Sequence, residues 1–278
     1  MPPCRSPVLQ SLCSPAPQPA VHFVVIGDFG SGDQHKADVA ALVKSWKPDF
    51  ILTVGDNNYP FGSGDTIDAN IGQFYHEFIH PYRGAYGQGA DINRFFPTLG
   101  NHDWLVENAY PYLDYFTLPG NERYYDFVWG PLHFFALDSD SREPDGFRKD
   151  SPQADWLQKK LAESSAQWKI AYLHHPPYSS GTNGGVAWMD WPFREWGAHL
   201  VLAGHDHIYE RLEVNGLPYL INGLGGGAIY ALSTPVPGSQ LRYNRDYGAL
   251  FCEASESRLR CQFITVGGEV VDTLTLAK

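Results

Sequence analysis

Five short apolar runs each end in residues of metal-ligand type: 23–26 at Asp28, 50–54 at Asp56, 95–99 at Asn101 and His102, 170–173 at His174 and His175, and 199–203 at His205, Asp206 and His207. Each member alone has a plainer reading. An Asp after Gly is most often a turn former or a helix cap, and Asn101 by itself reads as a turn residue. Several such clusters at one kind of position point to a site, because ligands of open α/β sheets bind at the carboxyl ends of the strands. His205 and His207 alternate along an extended chain and so share a face, which suits two ligands. Carboxylate, phenolate, amide and imidazole donors without thiolate suit iron, manganese or zinc and disfavour a Cys-bound zinc. One carboxylate among several imidazoles can bridge two cations, and metals about 3.5–4 Å apart suit in-line displacement at phosphorus.

The elements that must carry these residues alternate. The run 23–26 reads as a buried strand, Val39, Leu42, Val43 and Trp46 follow helical spacing up to Pro48, and 50–54 reads as a second strand. That is a βαβ unit, with parallel strands and a right-handed crossover. Runs 95–99, 170–173 and 199–203 read as further strands. Ser151-Pro152 marks a helix start, with Ser as N-cap and Pro at the first helical position. Residues 209–214 and 217–222 flank Asn215-Gly216, a hairpin signal, because Asn-Gly supplies the positive φ of a type I′ turn. The tail from Leu250 reads as short antiparallel strands, and 59–65, 179–185 and 225–238 read as loops. The expectation is an α/β core with appended antiparallel strands: one domain over residues 21–278, behind a Pro-rich leader, residues 1–20, read as disordered.

Composition narrows the partners. The 278 residues carry 31 Asp and Glu against 20 Lys and Arg, a formal charge of −11. That excess argues against a nucleic-acid polymer, which would need a basic patch. Eight Trp, 16 Tyr and 16 Phe are too many aromatics for a disordered chain, and no apolar run approaches the roughly 18 residues of a membrane span. The leader has Arg5 as its one positive charge and lacks the roughly 7–15-residue apolar stretch of an intact signal peptide. Cys4 and Cys13 lie in that leader, and the absence of CxxC disfavours a structural zinc clip. A two-residue turn at Glu256-Ser257 would pair 255 with 258 and therefore Cys252 with Cys261. A cross-strand disulfide in an oxidising compartment and two reduced thiols on one sheet face are both open.

The blocks Asp28-Phe29-Gly30, Gly55-Asp56-Asn57-Asn58-Tyr59, Gly100-Asn101-His102-Asp103, Ala171-Tyr172-Leu173-His174 and Gly204-His205-Asp206-His207 stand in this order. Together they resemble the purple acid phosphatase branch (tartrate-resistant acid phosphatase-like) of the calcineurin-like metallophosphoesterases, marked by DxG, GDxxY, GNH[DE], VxxH and GHxH. Only the VxxH block departs, with Ala171, a residue that packs in a strand, where Val is usual. The likeness covers roughly residues 21–227 and includes 124–139 and 204–211. Gly30 with Tyr59 is the discriminating pair. Most of the superfamily has DxH in the first block, with that His on a metal; here Gly30 takes the place, and in the branch's pattern Tyr59 supplies the donor.

The resemblance implies a four-layer α/β/β/α sandwich of two mixed sheets. It implies that Asp28, Tyr59 and His207 hold Fe(III), that Asn101, His174 and His205 hold a divalent ion (Fe, Zn or Mn), and that Asp56 bridges them. A metal-bound hydroxide then hydrolyses a phosphate monoester, since such cations lower the pKa of bound water. His102 steadies phosphate or protonates the leaving alcohol. A small phosphate ester is the implied partner and a secreted or periplasmic compartment the implied location, with the oligomeric state left open. The alternatives are a diesterase acting on nucleotide or lipid head-group diesters, and a metal-binding phosphate sensor without catalysis. Around the ligands, His175 is expected to face away, and Asp103 and Asp206 to orient His ligands. Gly225-Gly226-Gly227 should let the backbone pass close to the metals. Trp104, Tyr178 and Trp188 either pack or stack on a leaving group, and His22, His35, His76, His80, His133 and His199 read as surface or packed residues.

Overall fold

The first βαβ unit seeds the architecture. In the computed structural model, which describes residues 20–278, β1 (Val21–Ile26) and β2 (Phe50–Thr53) pair in parallel and are joined by α1 (Gln34–Ser45). Asp33 caps α1 by accepting from the Lys36 N–H at 3.2 Å, satisfying one of its free donors. A helical stretch follows, α2 (Gly64–Ile67) and α3 (Gln73–Tyr75) with a π turn over Asp68–Gly72 between them. Then β3 (Phe95–Pro97) adds to β2, again in parallel.

After α4 (Tyr110–Tyr115) the chain enters the second sheet through β4 (Tyr125–Trp129) and β5 (Leu132–Ala136). Helix α5 (Pro152–Glu163) crosses to β6 (Trp168–Tyr172), and β5, β6 and β7 (Leu200–Ala203) run parallel. As its sequence requires, α5 starts at Pro152, with the Ser151 side chain accepting from the Ala154 N–H. The hairpin β8 (Tyr209–Val214) and β9 (Leu217–Asn222) turns at Asn215 and Gly216, both with positive φ. The chain ends with β10 (Ser239–Tyr243), β11 (Gly248–Ala254), β12 (Arg258–Thr265) and β13 (Val270–Ala277). The strand orders are β13-β12-β11-β1-β2-β3 and β10-β8-β9-β7-β6-β5-β4.

Alternation along the strands separates the layers. Phe134, Ala136, Ile170, Tyr172, Leu200 and Leu202 belong to the core between the sheets, where the Phe134 ring lies 5.2 Å from Phe23 and 5.4 Å from Phe50. Their neighbours Phe135, Leu137, Ala171, Leu173, Val201 and Ala203 pack instead with Ala154, Leu157 and Leu161 of α5. With α1 against β11 on the other side, the layers are helix, sheet, sheet, helix. This is the four-layer sandwich of two mixed sheets that the motifs imply.

Three features exceed the sequence expectation. The β4–β5 hairpin turns at Gly130-Pro131, but β4 is half-buried and carries Asp126 while β5 is buried throughout, His133 included, which blurs the alternation. The 64–78 stretch is helical despite Gly64, Thr66, Ile67, Ile71 and Gly72, poor helix formers that tertiary packing overrides. The edge strand β10 has only a short bulged pairing with β8. The leader, with Cys4 and Cys13, lies outside the described residues. Among those described, no helix is long and apolar enough to cross a membrane.

The terminal hairpin resolves the cysteine alternatives. Cys252 faces Cys261 in register, the Ser255 N–H donates to the Arg258 carbonyl at 2.8 Å, and the two sulfurs are bonded. Closing so short a loop removes modest entropy from the unfolded chain. Reduction is expected to lower the unfolding free energy by about 2 kcal/mol, read as a lower urea midpoint with dithiothreitol; equal midpoints would contradict it.

Candidate metal centre

The carboxyl ends of β1, β2, β3, β6 and β7 meet where the two sheets open, and the seven ligand candidates converge there. Asp28, Asp56 and His205 each follow a glycine and hold positive φ, at 55°, 52° and 69°. This sparsely populated conformation is typical of residues aimed into sites. It turns the side chains inward at the strand ends. The first two blocks are laced together, because the Gly30 N–H donates to the Asp56 carbonyl at 3.1 Å and the Tyr59 N–H to the Gly30 carbonyl at 2.9 Å. A Cβ at Gly30 would lie 2.5 Å from the Asn58 nitrogen and 2.6 Å from that of Tyr59. No side chain fits there, which couples Gly30 to the entry of Tyr59 in physical terms.

The donor atoms form two groups. In the first, the Tyr59 hydroxyl is 3.1 Å from Asp56 Oδ2, 3.4 Å from Asp28 Oδ1 and 3.1 Å from His207 Nε2. In the second, His174 Nε2 is 3.0 Å from Asn101 Oδ1, 3.3 Å from His205 Nδ1 and 3.5 Å from Asp56 Oδ1. Asp56 thus gives one oxygen to each group. Backbone carbonyls set the rings. His207 Nδ1 lies 2.6 Å from the Ala228 carbonyl and His174 Nδ1 2.8 Å from that of Val54. A carbonyl only accepts, so each Nδ1 carries the proton and each Nε2 turns inward.

These atoms fit metal ions because protons cannot satisfy them all. One phenol proton faces two carboxylates and an imidazole nitrogen, and Asn101 Oδ1 and His205 Nδ1 bring further lone pairs. The electrostatics carry the same strain. Burial, then the Asp56 and Asp28 charges, push the Tyr59 phenol well above its ordinary range. Burial works against protonating His207, but the Asp28 carboxylate outweighs it and holds that ring above the usual His value. Burial and then His174 press His205 down to about 3, which keeps it a neutral donor. A cation in either group would supply the charge those protons supply poorly, and would reverse the pressure on Tyr59.

His102 stands at the rim. Its Nδ1 lies 2.6 Å from the Pro60 carbonyl, its Nε2 4.0 Å from Asp56 Oδ2, and its ring meets Tyr59 edge-on at 4.7 Å. Several expectations about the surroundings change. His175 does not face away: its ring lies 4.5 Å from His205, and its Nδ1 is 2.9 Å from the Ser139 hydroxyl. Its nitrogens cluster with those of His174 and His205 closely enough to share an ion. Asp103 and Asp206 brace loops rather than histidines. Asp103 accepts from the Asn57 and Gly100 N–H groups, and Asp206 from those of Asn183 and Gly184 and from the Ser179 hydroxyl. Trp104 is buried, donating its indole N–H to Asp138 at 2.9 Å, and Tyr178 is tied to Asp190. Trp188 is half-buried and donates to the Ser139 carbonyl. Gly227 does let the backbone pass, since a Cβ there would lie 2.6 Å from the His207 ring.

Two contributors left no local signal in the sequence. Arg142, gripped by Asp140, donates to the carbonyls of Asn101 at 3.0 Å and Trp104 at 3.1 Å, clasping the turn that carries His102. Tyr230, from the glycine-rich loop, lies flat on His207 with ring centres 4.0 Å apart.

A cavity of about 990 Å³ lies elsewhere, at the amino ends of β1, β5 and β6. It exposes a chain in which Ser164 Oγ lies 2.8 Å from His133 Nδ1 and His133 Nε2 2.9 Å from Asp126. Ser164 sits at the C-terminus of α5, whose partial negative charge would oppose an oxyanion. With Lys160 also on Asp126 at 3.0 Å, the chain is a latch tying the helix end to the sheet.

Similarity to known proteins extends over most of the chain. A family model, calcineurin-like phosphoesterase, matches residues 21–209. The chain is 28% identical to purple acid phosphatase 15 of Arabidopsis thaliana over 77% of its length, spanning 46% of that relative. It is 24% identical to human (Homo sapiens) tartrate-resistant acid phosphatase type 5, covering 94% of both. Among solved structures, the yellow lupin (Lupinus luteus) purple acid phosphatase PPD1 superposes with TM-score 0.74 at 18% identity, over 95% of this chain and 55% of that one. GAP50, the anchor in the inner membrane complex of Plasmodium, superposes with TM-score 0.72 at 21% identity, over 94% and 89%. The chain belongs to the calcineurin-like phosphoesterase family. It is a hydrolytic enzyme of the phosphatase kind, and its similar relatives are purple acid phosphatases.

Two predictions follow from these contacts. Gly30→Ala must push the 57–59 backbone aside and is expected to cost about 1–3 kcal/mol, read as a lower urea midpoint. The second concerns Asp126, whose carboxyl is held below its ordinary value by the His133 hydrogen bond, with burial opposing and Lys160 adding to it. A depressed carboxyl stabilises the fold above its unfolded pKa, about 3.9, and loses that contribution as pH falls through the lower folded value. Asp126→Asn should therefore lower the urea midpoint at pH 6 and approach the parent as the solution becomes more acidic than pH 3. A gap independent of pH would argue that packing alone matters there.

Proposed function

We propose that the chain hydrolyses phosphate monoesters at a centre of two metal ions. Asp28, Tyr59 and His207 would hold Fe(III), Asn101, His174 and His205 a divalent Fe, Zn or Mn ion, and Asp56 would be shared. The supporting observation is the shortage of protons: two groups of lone pairs converge on the two oxygens of one buried carboxylate. The similar relatives are named acid phosphatases, which favours a monoester. Metals bound there would supply charge that neutralises phosphoryl oxygens and acidifies a water nucleophile.

The remaining work falls to the chain's own residues. Asp56, Val54 and Ala228 fix the spacing and tautomers of the donors before substrate arrives, so little reorganisation is left for the reaction. His102, with Nδ1 bonded to the Pro60 carbonyl, presents Nε2 to the centre and can hold a proton there for the leaving oxygen. Its side chain is 35% exposed, so the departing alcohol has a route to solvent. Arg142 keeps the turn bearing Asn101 and His102 in place from outside.

Iron-loaded protein is expected to show a visible phenolate-to-iron absorption that Tyr59→Phe abolishes. His102→Ala should lower kcat on phenyl phosphate by about 10²–10⁴, and kcat/KM for phenyl phosphate should exceed that for diphenyl phosphate. A colourless protein that binds no iron after aerobic reconstitution would overturn the metal assignment. A preference for the diester would move the function to the phosphodiesterase reading.

A further inference from the structure

Two touching loops flank His102 and place apolar side chains in water. The first carries Tyr59 and Pro60, whose carbonyl meets His102 Nδ1, and then Phe61, which is 60% exposed. The second runs from His102 itself to Leu105, whose N–H donates to the His102 carbonyl at 3.3 Å and whose side chain is 48% exposed. The loops touch where Gly62 meets the His102 backbone, since a Cβ there would lie 2.7 Å from its carbonyl oxygen. A little further along, Gly64 abuts Pro111, next to Tyr110, which is 57% exposed. Isolated apolar side chains on a surface need no explanation. Here two of the seven large exposed ones among the described residues lie on the two segments that meet at one histidine.

We propose that Phe61 and Leu105 form an apolar ledge that selects phosphate monoesters with an aromatic or apolar leaving group, a specificity that rests on the monoesterase reading. The leaving oxygen must reach His102 Nε2, so the group attached to it extends past His102 toward solvent. On the segments that adjoin His102 the exposed apolar side chains are Phe61 and Leu105. An aromatic leaving group sheds water against both, and its ring can pack on that of Phe61. A polyol gains nothing there. The aromatic candidates nearer the motifs are committed elsewhere, Trp104 to the core and Tyr178 to Asp190.

The test compares 1-naphthyl phosphate with glycerol 2-phosphate in metal-loaded parent, Phe61→Ser, Leu105→Ser and the double variant. The ratio of their kcat/KM values should fall about 10-fold in the double variant, through a higher KM for the naphthyl ester, because ground-state binding is what the ledge supplies. A ratio within twofold of the parent's would overturn the ledge while leaving the monoesterase reading intact. Parent protein with full metal content that hydrolyses neither ester would overturn that reading, and the ledge with it. Inhibition of the unmodified protein gives a second measure: 1-naphthylphosphonate should bind about 10-fold more tightly than methylphosphonate, and equal inhibition would count against the ledge.

Discussion

Two buried carboxylates, Asp28 and Asp56, stand within hydrogen-bonding reach of a single phenol proton, and most of the surrounding structure exists to keep them there. Buried anions without partners cost several kcal/mol each. The chain meets that cost partly with backbone donors. The His205 N–H serves Asp28 Oδ2 at 2.9 Å and the His102 N–H serves Asp56 Oδ1 at 2.9 Å. The oxygens left facing inward have imidazole and phenol for neighbours rather than fixed donors. That is a cradle for positive charge.

Holding such a cradle open takes braces that never touch it. Asp103 is the clearest case. Its carboxyl is raised to about 7, by burial first and then by the Asp56 charge, yet it collects N–H groups from the loops that follow β2 and β3. It therefore ties the Asp56 turn to the Asn101 turn across a sheet edge. Asn57 and Thr98 add to the same joint through a bond of 2.7 Å. Arg142 does the equivalent from the second sheet, by gripping carbonyls rather than side chains. The site's precision thus comes from backbone held at several points, which suits donors that must wait in place.

The rim follows a different logic. Inside, backbone groups hold the donor side chains in place. Outside, Phe61 and Leu105 are left in water by loops whose backbones contact His102 and carry Tyr59. Selection among leaving groups can then vary with two side chains while the ligand framework stays constrained by Gly30 and its neighbours. Recognition and chemistry are separated by only a few residues of chain, yet they answer to different forces: burial of apolar surface for one, placement of charge for the other.

The sequence by itself determined the strands that end in the seven ligand candidates and the pairing of Gly30 with Tyr59. Those signals are local: an apolar run, a glycine, then a polar residue. It also fixed the Asn215-Gly216 hairpin and the Cys252–Cys261 register, because turn chemistry sets both. Whether the cysteines bond, which way His175 points, and what Asp103, Asp206 and Arg142 hold were decided by tertiary structure. Apart from the cysteines, 9 positions apart, these depend on partners tens of residues away, such as Asn101, 41 positions before Arg142, and no spacing rule reaches that far. The division of Asp56 between two groups of donors is of the same kind. Sequence can nominate a bridging carboxylate, but only the packing of two sheets puts one of its oxygens in each group.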